Sequence, residues 1–384
     1  MVWILQLALL LLTLYVALLL YYNVAYKQLK PYNGIGHNNS ATVAIIIPAR
    51  NEALTITSCL QAIVAQTYPA HLLHIIVVND YSTDDTEGAV KAFADRHKTH
   101  HIQVLNLQQY LSEAATNSHK KQGIAVAIQH TKAALIVCTD ADCTAHPQWI
   151  SNLISYQQHT NAACIAAPVL LQPNNGKWSC VSIFQTLDFA TLQGITMAAV
   201  RKQLYAMCNG ANFCYTKAAY VAVNGFAGID AMASGDDMLL MQKIMDKYPK
   251  QVAYLKSRYA TVTTATVPSW AGLISQRVRW ASKANSYTSR QLQLTLLLVF
   301  LVNVISVVVA VFAFTNTANA VWCFLFFLVK GVIEYFFLQP VLRFFKLGFL
   351  GKYFIPSIPI HIIYTVLIGL LGMLGKYSWK GRSS

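Results

Sequence analysis

Hydrophobic positions divide the chain into long uncharged runs near its two ends and short apolar runs in its middle. The first run extends from Met1 to Tyr26 without a charged residue, and about 20 helical residues are enough to cross a bilayer core. A cleaved signal peptide would require basic residues before the apolar run and a small-residue cleavage site after it. Neither feature is clear in this sequence. Residues 1–26 are therefore predicted to form an N-terminal transmembrane anchor.

Three further candidate spans follow, at residues 292–313, 321–338 and 353–375. Basic flanks favour the cytoplasmic side of a membrane, so Lys27 and Lys30 place the middle of the chain in the cytoplasm. Three later spans would then put the basic tail outside, which the same rule disfavours, unless one segment lies in the interface. We predict a C-terminal membrane region with two or three spans and a basic tail over residues 291–384.

The middle of the chain alternates short β-rich runs with helical stretches. Continuous apolar runs at residues 42–48 and 73–78 predict strands buried on both faces, and two more strands are predicted at 102–107 and 134–139. Helical spacing follows the first run, and Ser82 or Thr83 can cap the helix after the second. This βαβ rhythm predicts an α/β domain with a parallel, doubly wound sheet. Such sheets bind ligands at the carboxyl ends of their strands.

Composition and charge sharpen this division. Charged residues make up 11% of the chain and hydrophobic residues 55%, whereas soluble domains carry about 25% charged residues. The net charge is +14, yet residues 41–250 hold fourteen basic and fourteen acidic residues. The excess lies in residues 1–40, with +2, and 251–384, with +12. The neutral middle argues against a nucleic-acid partner, and the size of the α/β region argues against a transporter.

Acidic residues follow the predicted strands at the ends where ligands bind. Glu52 follows the first strand and Asp80 the second, while Asp140 and Asp142 follow the strand at 134–139. Two carboxylates on alternate residues suit a divalent cation that also holds a ligand's phosphates, although such a pair is also common in solvated turns. The eight cysteines form no C-x-x-C pair and are predicted to be packing residues.

An amphipathic segment precedes the C-terminal membrane region. Residues 268–287 combine large apolar side chains with three basic ones. That mixture is typical of a helix lying on a membrane surface. We predict an interfacial helix over residues 268–290.

Taken together, the motifs resemble those of membrane-bound members of glycosyltransferase family 2, such as ceramide glucosyltransferase-like and polysaccharide synthase-like enzymes. The match covers about residues 42–285, in family order, and the ending WKGR (379–382) is similar too. The resemblance implies a GT-A, Rossmann-like nucleotide-sugar-binding domain over residues 41–267, flanked by transmembrane helices. The motifs are PARNE (48–52), VVNDYSTDDT (77–86), TDADC (139–143), GDDMLL (235–240) and QRVRW (276–280).

The resemblance implies a donor site and a metal site. Asp80 matches the family's uracil-binding aspartate, and Lys120 stands in an HKK sequence where the family often has GK. His119 replaces that glycine, so Lys121 is an alternative to Lys120. Asp140 and Asp142 would hold Mg²⁺ or Mn²⁺ on the diphosphate. The implied nucleotide-sugar-binding residues are Pro48, Glu52, Asp80, Lys120, Asp140, Gln276 and Arg277.

The resemblance also implies catalytic and acceptor-binding residues. Asp237 matches the catalytic base, and Arg279 would stabilise the departing diphosphate. Asn212, in the loop Gly210-Ala211-Asn212, and Asp236, where the family more often has glutamate, would bind the acceptor. Trp280 is implied to stack on an acceptor sugar, and an interfacial anchor is the alternative. The chemistry agrees, since inverting transfer needs one general base and positive charge beside the leaving group.

The resulting hypothesis is a membrane-bound, inverting hexosyltransferase that uses a nucleotide-sugar, implied to be a UDP-sugar, and a lipid or glycan acceptor. The expected location is the bacterial plasma membrane, in contact with membrane lipids, with the catalytic domain in the cytoplasm. A processive polysaccharide synthase and a catalytically silent nucleotide-sugar-binding membrane protein are the alternatives. The small number of spans favours a lipid-linked acceptor over a translocating synthase.

Overall fold

The computed structural model describes residues 2–34, 40–113, 118–173, 176–232, 235–283, 287, 289–374, 378–379 and 382–383. The chain divides into two compact units. We call the first the helical unit (Met1–Leu29, Pro173–Tyr205 and Thr266–Ser384) and the second the α/β unit (Lys30–Gln172 and Ala206–Ala265). Residues 375–377, 380–381 and 384, which include Lys376 and Lys380 of the predicted basic tail, lie outside the described residues.

Helices account for nearly all regular structure in the helical unit and alternate with strands in the α/β unit. In chain order they are α1 (Val2–Gln28), α2 (Ile56–Val64), α3 (Thr86–Arg96), α4 (His119–Gln129), α5 (Trp149–Thr160), α6 (Cys180–Arg201), α7 (Lys217–Ala222), α8 (Asp236–Lys247), α9 (Trp270–Ala281), α10 (Arg290–Phe312), α11 (Thr317–Phe344) and α12 (Phe354–Met373).

Four strands of the α/β unit match the four predicted from the sequence, and six further described strands were not predicted. They are β1 (Val43–Ala49), β2 (Leu73–Asn79), β3 (His101–Asn106), β4 (Leu135–Cys138), β5 (Thr144–Ala145), β6 (Cys164–Ala166), β7 (Val169–Gln172), β8 (Phe213–Thr216), β9 (Val252–Tyr254) and β10 (Val262–Ala265). Two short strands near the end of the chain, β11 (Ser378–Trp379) and β12 (Arg382–Ser383), pair with each other.

A seven-stranded sheet with the order β3-β2-β1-β4-β8-β6-β9 forms the core of the α/β unit. Strands β3, β2, β1 and β4 are parallel, as predicted, but β8 is antiparallel to both of its neighbours. The sheet is therefore mixed: the four predicted strands are parallel to one another, and the prediction of a parallel sheet does not extend to β8. The reason is that β8 begins at Phe213, opposite the end of β4 at Cys138, and runs back along it. A smaller sheet with the order β5-β10-β7 lies in the same unit.

The helical unit contains four described helices that are long and apolar enough to cross a membrane, at residues 3–28, 290–312, 317–344 and 348–373. A further helix of this unit, α6, was not predicted from the sequence. It packs closely on α11, since a Cβ atom at Gly194 would lie 2.7 Å from Val341 and 3.1 Å from Phe337. The unit is thus built around α6 as well as the four long apolar helices.

Candidate active site

The carboxyl ends of β1, β2 and β4 carry the acidic residues predicted from the sequence. Because these strands are parallel neighbours, their following loops meet at one edge of the sheet. Asp80 follows β2 and is 5% exposed, and its main-chain N–H donates to the carbonyl of Ala49 at the end of β1. Asp140 and Asp142 follow β4. Pro48 is half-buried near the end of β1.

The loop after β1 and the loop after β2 are joined by side-chain hydrogen bonds. The side-chain Oδ1 of Asn51 accepts from the main-chain N–H of Thr83 at 2.8 Å, and the Ser82 hydroxyl accepts from the main-chain N–H of Asn51 at 3.1 Å. The N–H of Glu52 donates to Thr86 at 2.9 Å. The predicted cap was wrong, because α3 begins at Thr86 and both Ser82 and Thr83 bind Asn51 instead. These bonds hold the loops after β1 and β2 together.

Lys120, in the first turn of α4, lies among the acidic residues. Its ammonium nitrogen is 2.9 Å from Asp140 Oδ1 and 3.3 Å from Asp236 Oδ2. Burial acts to lower the pKa of Lys120, but the carboxylates of Asp140, Asp236 and Asp237 raise it more, so the pKa lies well above the ordinary value. Lys120 is therefore a fixed positive charge shared between the loop after β4 and the start of α8.

Asp236 and Asp237 occupy the first turn of α8, where the helix dipole favours negative charge. Gly235 precedes them in the left-handed conformation, with φ of 82°. Asp237 is half-buried, and its Oδ2 accepts from the N–H of Gly210 at 2.7 Å. A Cβ atom at Gly210 would lie 3.3 Å from Lys120 Nζ and 3.4 Å from one carboxylate oxygen of each aspartate. Gly210 thus lies where three charged groups converge.

Asp140, Asp142 and Cys143 form a group whose possible metal-binding atoms all lie within 4.8 Å of one another. Partial desolvation, Asp140 and Glu52 together raise the pKa of Asp142, and a cation would relieve this crowding. The two carboxylates match the oxygen ligands that Mg²⁺ and Mn²⁺ prefer. Cys143 is buried, with its thiol 3.5 Å from Asp142 Oδ1. From the sequence, Cys143 was expected only to be a packing residue.

A histidine lies beside the predicted nucleoside-binding aspartate. His119 Nδ1 is 3.7 Å from Asp80 Oδ1, and both side chains are about 7% exposed. The ring of Tyr81 meets the ring of His119 edge-on, with centroids 5.6 Å apart. Glu52, also predicted to contact the nucleoside, accepts a hydrogen bond from Thr55 at 2.6 Å. His119 therefore replaces the family's glycine with a ring that contacts the predicted base-binding residue.

Lys121 is fully buried and points away from the acidic cluster toward the loop before α8. Three lysines donate hydrogen bonds to main-chain oxygens of residues 222–232. We call this segment the lysine-held loop. Lys121 lies on α4, and Lys243 and Lys247 lie on α8. The accepting carbonyls, at 2.6–2.8 Å, belong to Ala222, Gly225, Ala227, Ile229 and Met232. Lys120 is therefore the lysine beside the acids, and Lys121 shapes a loop.

Asn212 was predicted to bind the acceptor, but its side chain lies in the core of the α/β unit. Its side chain is 0% exposed. Its Oδ1 accepts from Trp149 Nε1 at 2.9 Å, and its Nδ2 donates to the carbonyls of Pro168 and Ala260 at 2.8 Å. The amide is thus satisfied inside the core, where it cannot contact an acceptor, and the expectation that Asn212 binds the acceptor is wrong.

The QRVRW motif lies on α9 of the helical unit. Gln276, Arg279 and Trp280 are half-buried, but Arg277 is 4% exposed and pairs with Asp188 of α6 at 2.9 Å. Its guanidinium also covers the ring of Trp280, 4.1 Å from the centroid. The structure therefore gives Arg277 a protein partner in place of the nucleotide expected from the sequence.

Comparisons with known proteins agree with this architecture. The glycosyltransferase AglE of Haloferax volcanii is 31% identical over 135 residues, which are 35% of this chain and 41% of that protein. The probable glycosyltransferase YdaM of Bacillus subtilis is 44% identical over 55 residues, 14% of this chain and 13% of its own. The matches span less than half the length of either relative.

A solved structure extends the likeness to nearly the whole chain. The mannosyltransferase PcManGT of Pyrobaculum calidifontis, in complex with GDP-Man and Mn²⁺, aligns with a TM-score of 0.59 and 19% identity over 95% of this chain and 99% of its own. This likeness confirms the expected α/β fold of the GT-A type. A family model described as "Glycosyltransferase like family 2" matches residues 40–283. The chain therefore belongs to glycosyltransferase family 2, the family that its motifs indicated.

Proposed function

We propose that the protein is a membrane-bound, inverting glycosyltransferase that moves one sugar from a nucleotide-sugar to a hydroxyl of a lipid or lipid-linked acceptor. The observation that carries the proposal is the convergence of Lys120, Asp236 and Asp237 at Gly210, with Asp140 2.9 Å from the Lys120 ammonium. This group combines a fixed cation, carboxylates suited to a metal and a candidate base at one edge of the sheet.

The donor would bind across the loops after β1, β2 and β4. A carboxylate at Asp80 can accept N–H groups from a uracil or a guanine base, and His119 beside it would limit which base fits. We propose a UDP-sugar as the donor. The P. calidifontis protein was solved with GDP-Man, so a GDP-sugar is the natural comparison in a test.

Asp140 and Asp142 fit a divalent cation, Mg²⁺ or Mn²⁺, because they supply two oxygen ligands and leave coordination positions for phosphate and water. When bound, such an ion supplies positive charge to the diphosphate leaving group. Lys120 adds a second positive charge from the protein, 2.9 Å from Asp140. Arg279 is a further proposed source of positive charge for the diphosphate, on the basis of its motif.

Asp237 is the proposed general base. Its carboxylate accepts from the Gly210 N–H and from the N–H of Met238, each at 2.7 Å, which fixes its orientation. In the reaction it would take the proton of the acceptor hydroxyl while that oxygen bonds to the anomeric carbon. The bond from the anomeric carbon to the diphosphate breaks with inversion, and the nucleoside diphosphate leaves. Asp236, 3.3 Å from Lys120, would help to orient the acceptor.

The membrane would supply the acceptor. Four described helices have the length and hydropathy of membrane spans, and Lys27 and Lys30 after the first favour a cytoplasmic α/β unit. A chain with this organisation is suited to an acceptor whose lipid part stays in the bilayer. We therefore propose a lipid-linked hydroxyl as the acceptor, in the plasma membrane of a bacterial cell.

A donor panel on the purified full chain in lipid vesicles tests the proposal. We expect nucleoside diphosphate release from one UDP-sugar, dependent on Mg²⁺ or Mn²⁺, and a lipid product one sugar larger by mass spectrometry. Release from a GDP-sugar alone would correct the donor. A ladder of long products would favour a processive synthase, and no release from any donor would favour a silent binder.

The variant Asp237→Asn tests the base. We expect sugar transfer to fall by at least 1000-fold, since no other carboxylate is proposed to take the proton, while nucleotide binding by calorimetry stays within about threefold. Asp246→Asn is the matched control, because Asp246 is exposed on the same helix and accepts from Gln242. Wild-type transfer by Asp237→Asn would overturn the assignment.

A further inference from the structure

Two polar side chains lie on one face of α6, which is otherwise largely apolar and buried. Gln185 and Asp188 are three residues apart, so they point in similar directions from the helix. Gln185 is 0% exposed, and the side chain of Asp188 is 10% exposed. Polar groups at this depth need partners, because an unpaired one would be costly. Both find their partners in or just before α9.

Gln185 holds the main chain that leads into α9. Its Nε2 donates to the carbonyl of Val267 at 2.8 Å, and its Oε1 accepts from the N–H of the same residue at 3.1 Å. Ser269 then caps α9 by accepting from the N–H of Gly272 at 3.2 Å. The start of α9 is therefore fixed by two bonds from one side chain of α6 and by its own cap.

Asp188 contacts α9 through Arg277. Its Oδ2 is 2.9 Å from Arg277 Nη2, and its Oδ1 is 3.6 Å from His361 Nε2 on α12. Burial raises the pKa of Asp188, but Arg277 and His361 lower it more, so the pKa lies below its ordinary value. Asp188 is therefore an ionised carboxylate that connects α6, α9 and α12.

Arg277 links its ion pair with Asp188 to Trp280 of the QRVRW motif. Its guanidinium lies 4.1 Å from the ring centroid of Trp280 and 5.8 Å from that of Phe189, the residue after Asp188. On an ideal helix, Arg277 and Trp280 are separated by roughly 60°, and Gln276 lies on the far side of Trp280 from Arg277. Anchoring Arg277 thus sets the rotation of α9 and the directions in which Gln276, Arg279 and Trp280 point.

We infer that Asp188, supported by Gln185, is a positioning residue that fixes the orientation of the QRVRW helix through Arg277. The inference rests on the proposed function for its kinetic consequence, because Arg279 is a candidate for charge stabilisation there. It also changes the role of Arg277, whose guanidinium serves as an anchor and a platform for Trp280.

The variants Asp188→Asn and Arg277→Lys test this inference in the full chain in lipid. Asn keeps the shape of Asp188 but not its charge, and Lys keeps the charge of Arg277 but cannot present a flat guanidinium to Trp280. We expect each to lower kcat by tenfold or more, with less than a threefold change in KM for the donor. We also expect amide hydrogen exchange over residues 270–281 to accelerate at least tenfold.

The control is Glu334→Gln, which breaks another ion pair of the helical unit. Glu334 Oε1 lies 2.5 Å from Lys330 Nζ within α11 and accepts a hydrogen bond from the Tyr15 hydroxyl at 2.8 Å. If Asp188 served only general stability, Asp188→Asn and Glu334→Gln would both lower thermal stability, and neither would selectively accelerate hydrogen exchange in α9. We expect exchange in α9 to change in Asp188→Asn and not in Glu334→Gln.

The double variant Asp188→Leu with Arg277→Met keeps the test decisive if a single variant fails to fold. Replacing both members of a buried ion pair by apolar groups often preserves stability, so this chain should fold but lack the anchor. We expect the same loss in kcat and the same faster exchange in α9. Wild-type kcat with wild-type exchange would overturn the inference. If the wild-type chain transferred no sugar at all, the proposed function would fail while the exchange measurement still tested the anchor.

Discussion

At the scale of single residues, neighbouring positions of the chain have separate tasks. Lys120 and Lys121 are adjacent, yet one lies between carboxylates and the other binds the carbonyls of Ile229 and Met232. On α9, Arg277 is buried and pairs with Asp188, whereas Arg279, two residues later, is only half-buried. A motif names the residue types at a site, and the direction of each side chain decides which one contributes to it.

Gly210 offers a sensitive test of the charged cluster. Gly210→Ala would place a methyl group 3.3–3.4 Å from Lys120 Nζ and the nearest oxygens of Asp236 and Asp237. These groups would have to shift by a few tenths of an ångström, and catalytic geometry tolerates such shifts poorly. We expect kcat to fall about tenfold with little change in thermal stability. Gly348→Ala is the control, since no atom lies within 4 Å of the added carbon; an equal loss there would argue against the cluster.

Lys256 predicts a pH dependence of stability. Its side chain is nearly buried, and desolvation lowers its pKa to about 8. An unfolded lysine has a pKa of about 10.4, so between these values the unfolded chain binds more protons than the folded one. The free energy of unfolding should therefore rise as pH increases from about 8 to about 10.

Denaturant unfolding of the full chain in detergent at several pH values checks this dependence. Lys256→Met removes the titrating group and should flatten the rise in the free energy of unfolding. Lys132→Met, at an exposed position, should leave the rise in place. An unchanged pH profile in Lys256→Met would show that another group is responsible.

At the scale of elements, the sequence predicted the parallel half of the sheet and missed α6. The runs at 42–48 and 73–78 correspond to β1 and β2 within about one residue, because strands buried on both faces are continuously apolar. Helix α6 interrupts its apolar pattern with Gln185, Asp188 and Gln193. The partners of Gln185 and Asp188 lie more than 80 positions away in the chain, where local patterns carry no information.

The packing of α6 on α11 depends on a glycine. Gly194→Ala would bring its Cβ to 2.7 Å from Val341 Cγ2, which is closer than real contacts allow. We expect a loss of ~1–3 kcal/mol in the free energy of unfolding from this overpacking, measured by thermal unfolding in detergent. Val341→Ala in the same chain should restore most of the loss. Gly331→Ala is the control, since its nearest atom would be 3.4 Å away, and equal destabilisation there would argue against a specific contact.

At the scale of the whole molecule, charge follows the division of the chain. Residues 41–250 are neutral, and residues 251–384, which include three of the four candidate spans, carry +12. Basic residues near a membrane surface are attracted to anionic lipids by about 1 kcal/mol each. The excess charge is therefore suited to a lipid surface, which agrees with the membrane location that we propose.

Vesicle composition tests this interpretation of the charge. We expect a higher thermal unfolding temperature in vesicles that contain anionic lipid than in purely zwitterionic vesicles. The difference should shrink at high salt, because surface charges are screened over a few ångströms at about 1 M salt. Equal unfolding temperatures in both vesicle types would show that the basic residues serve another purpose.

The lysine-held loop has a consequence for how this protein can change over evolution. Lys121, Lys243 and Lys247 bind main-chain oxygens, which every amino acid supplies, so these bonds restrict side chains in residues 222–232 little, whereas the positive φ angles of Asn224, Gly225 and Gly228 restrict those three positions. The loop leads directly to Gly235 and the acids of α8. Substitutions at the other positions of the loop can thus accumulate while the lysine hydrogen bonds retain its main chain. A directed library confined to those other positions would therefore vary side chains on a retained backbone, in a loop that ends three residues before Gly235.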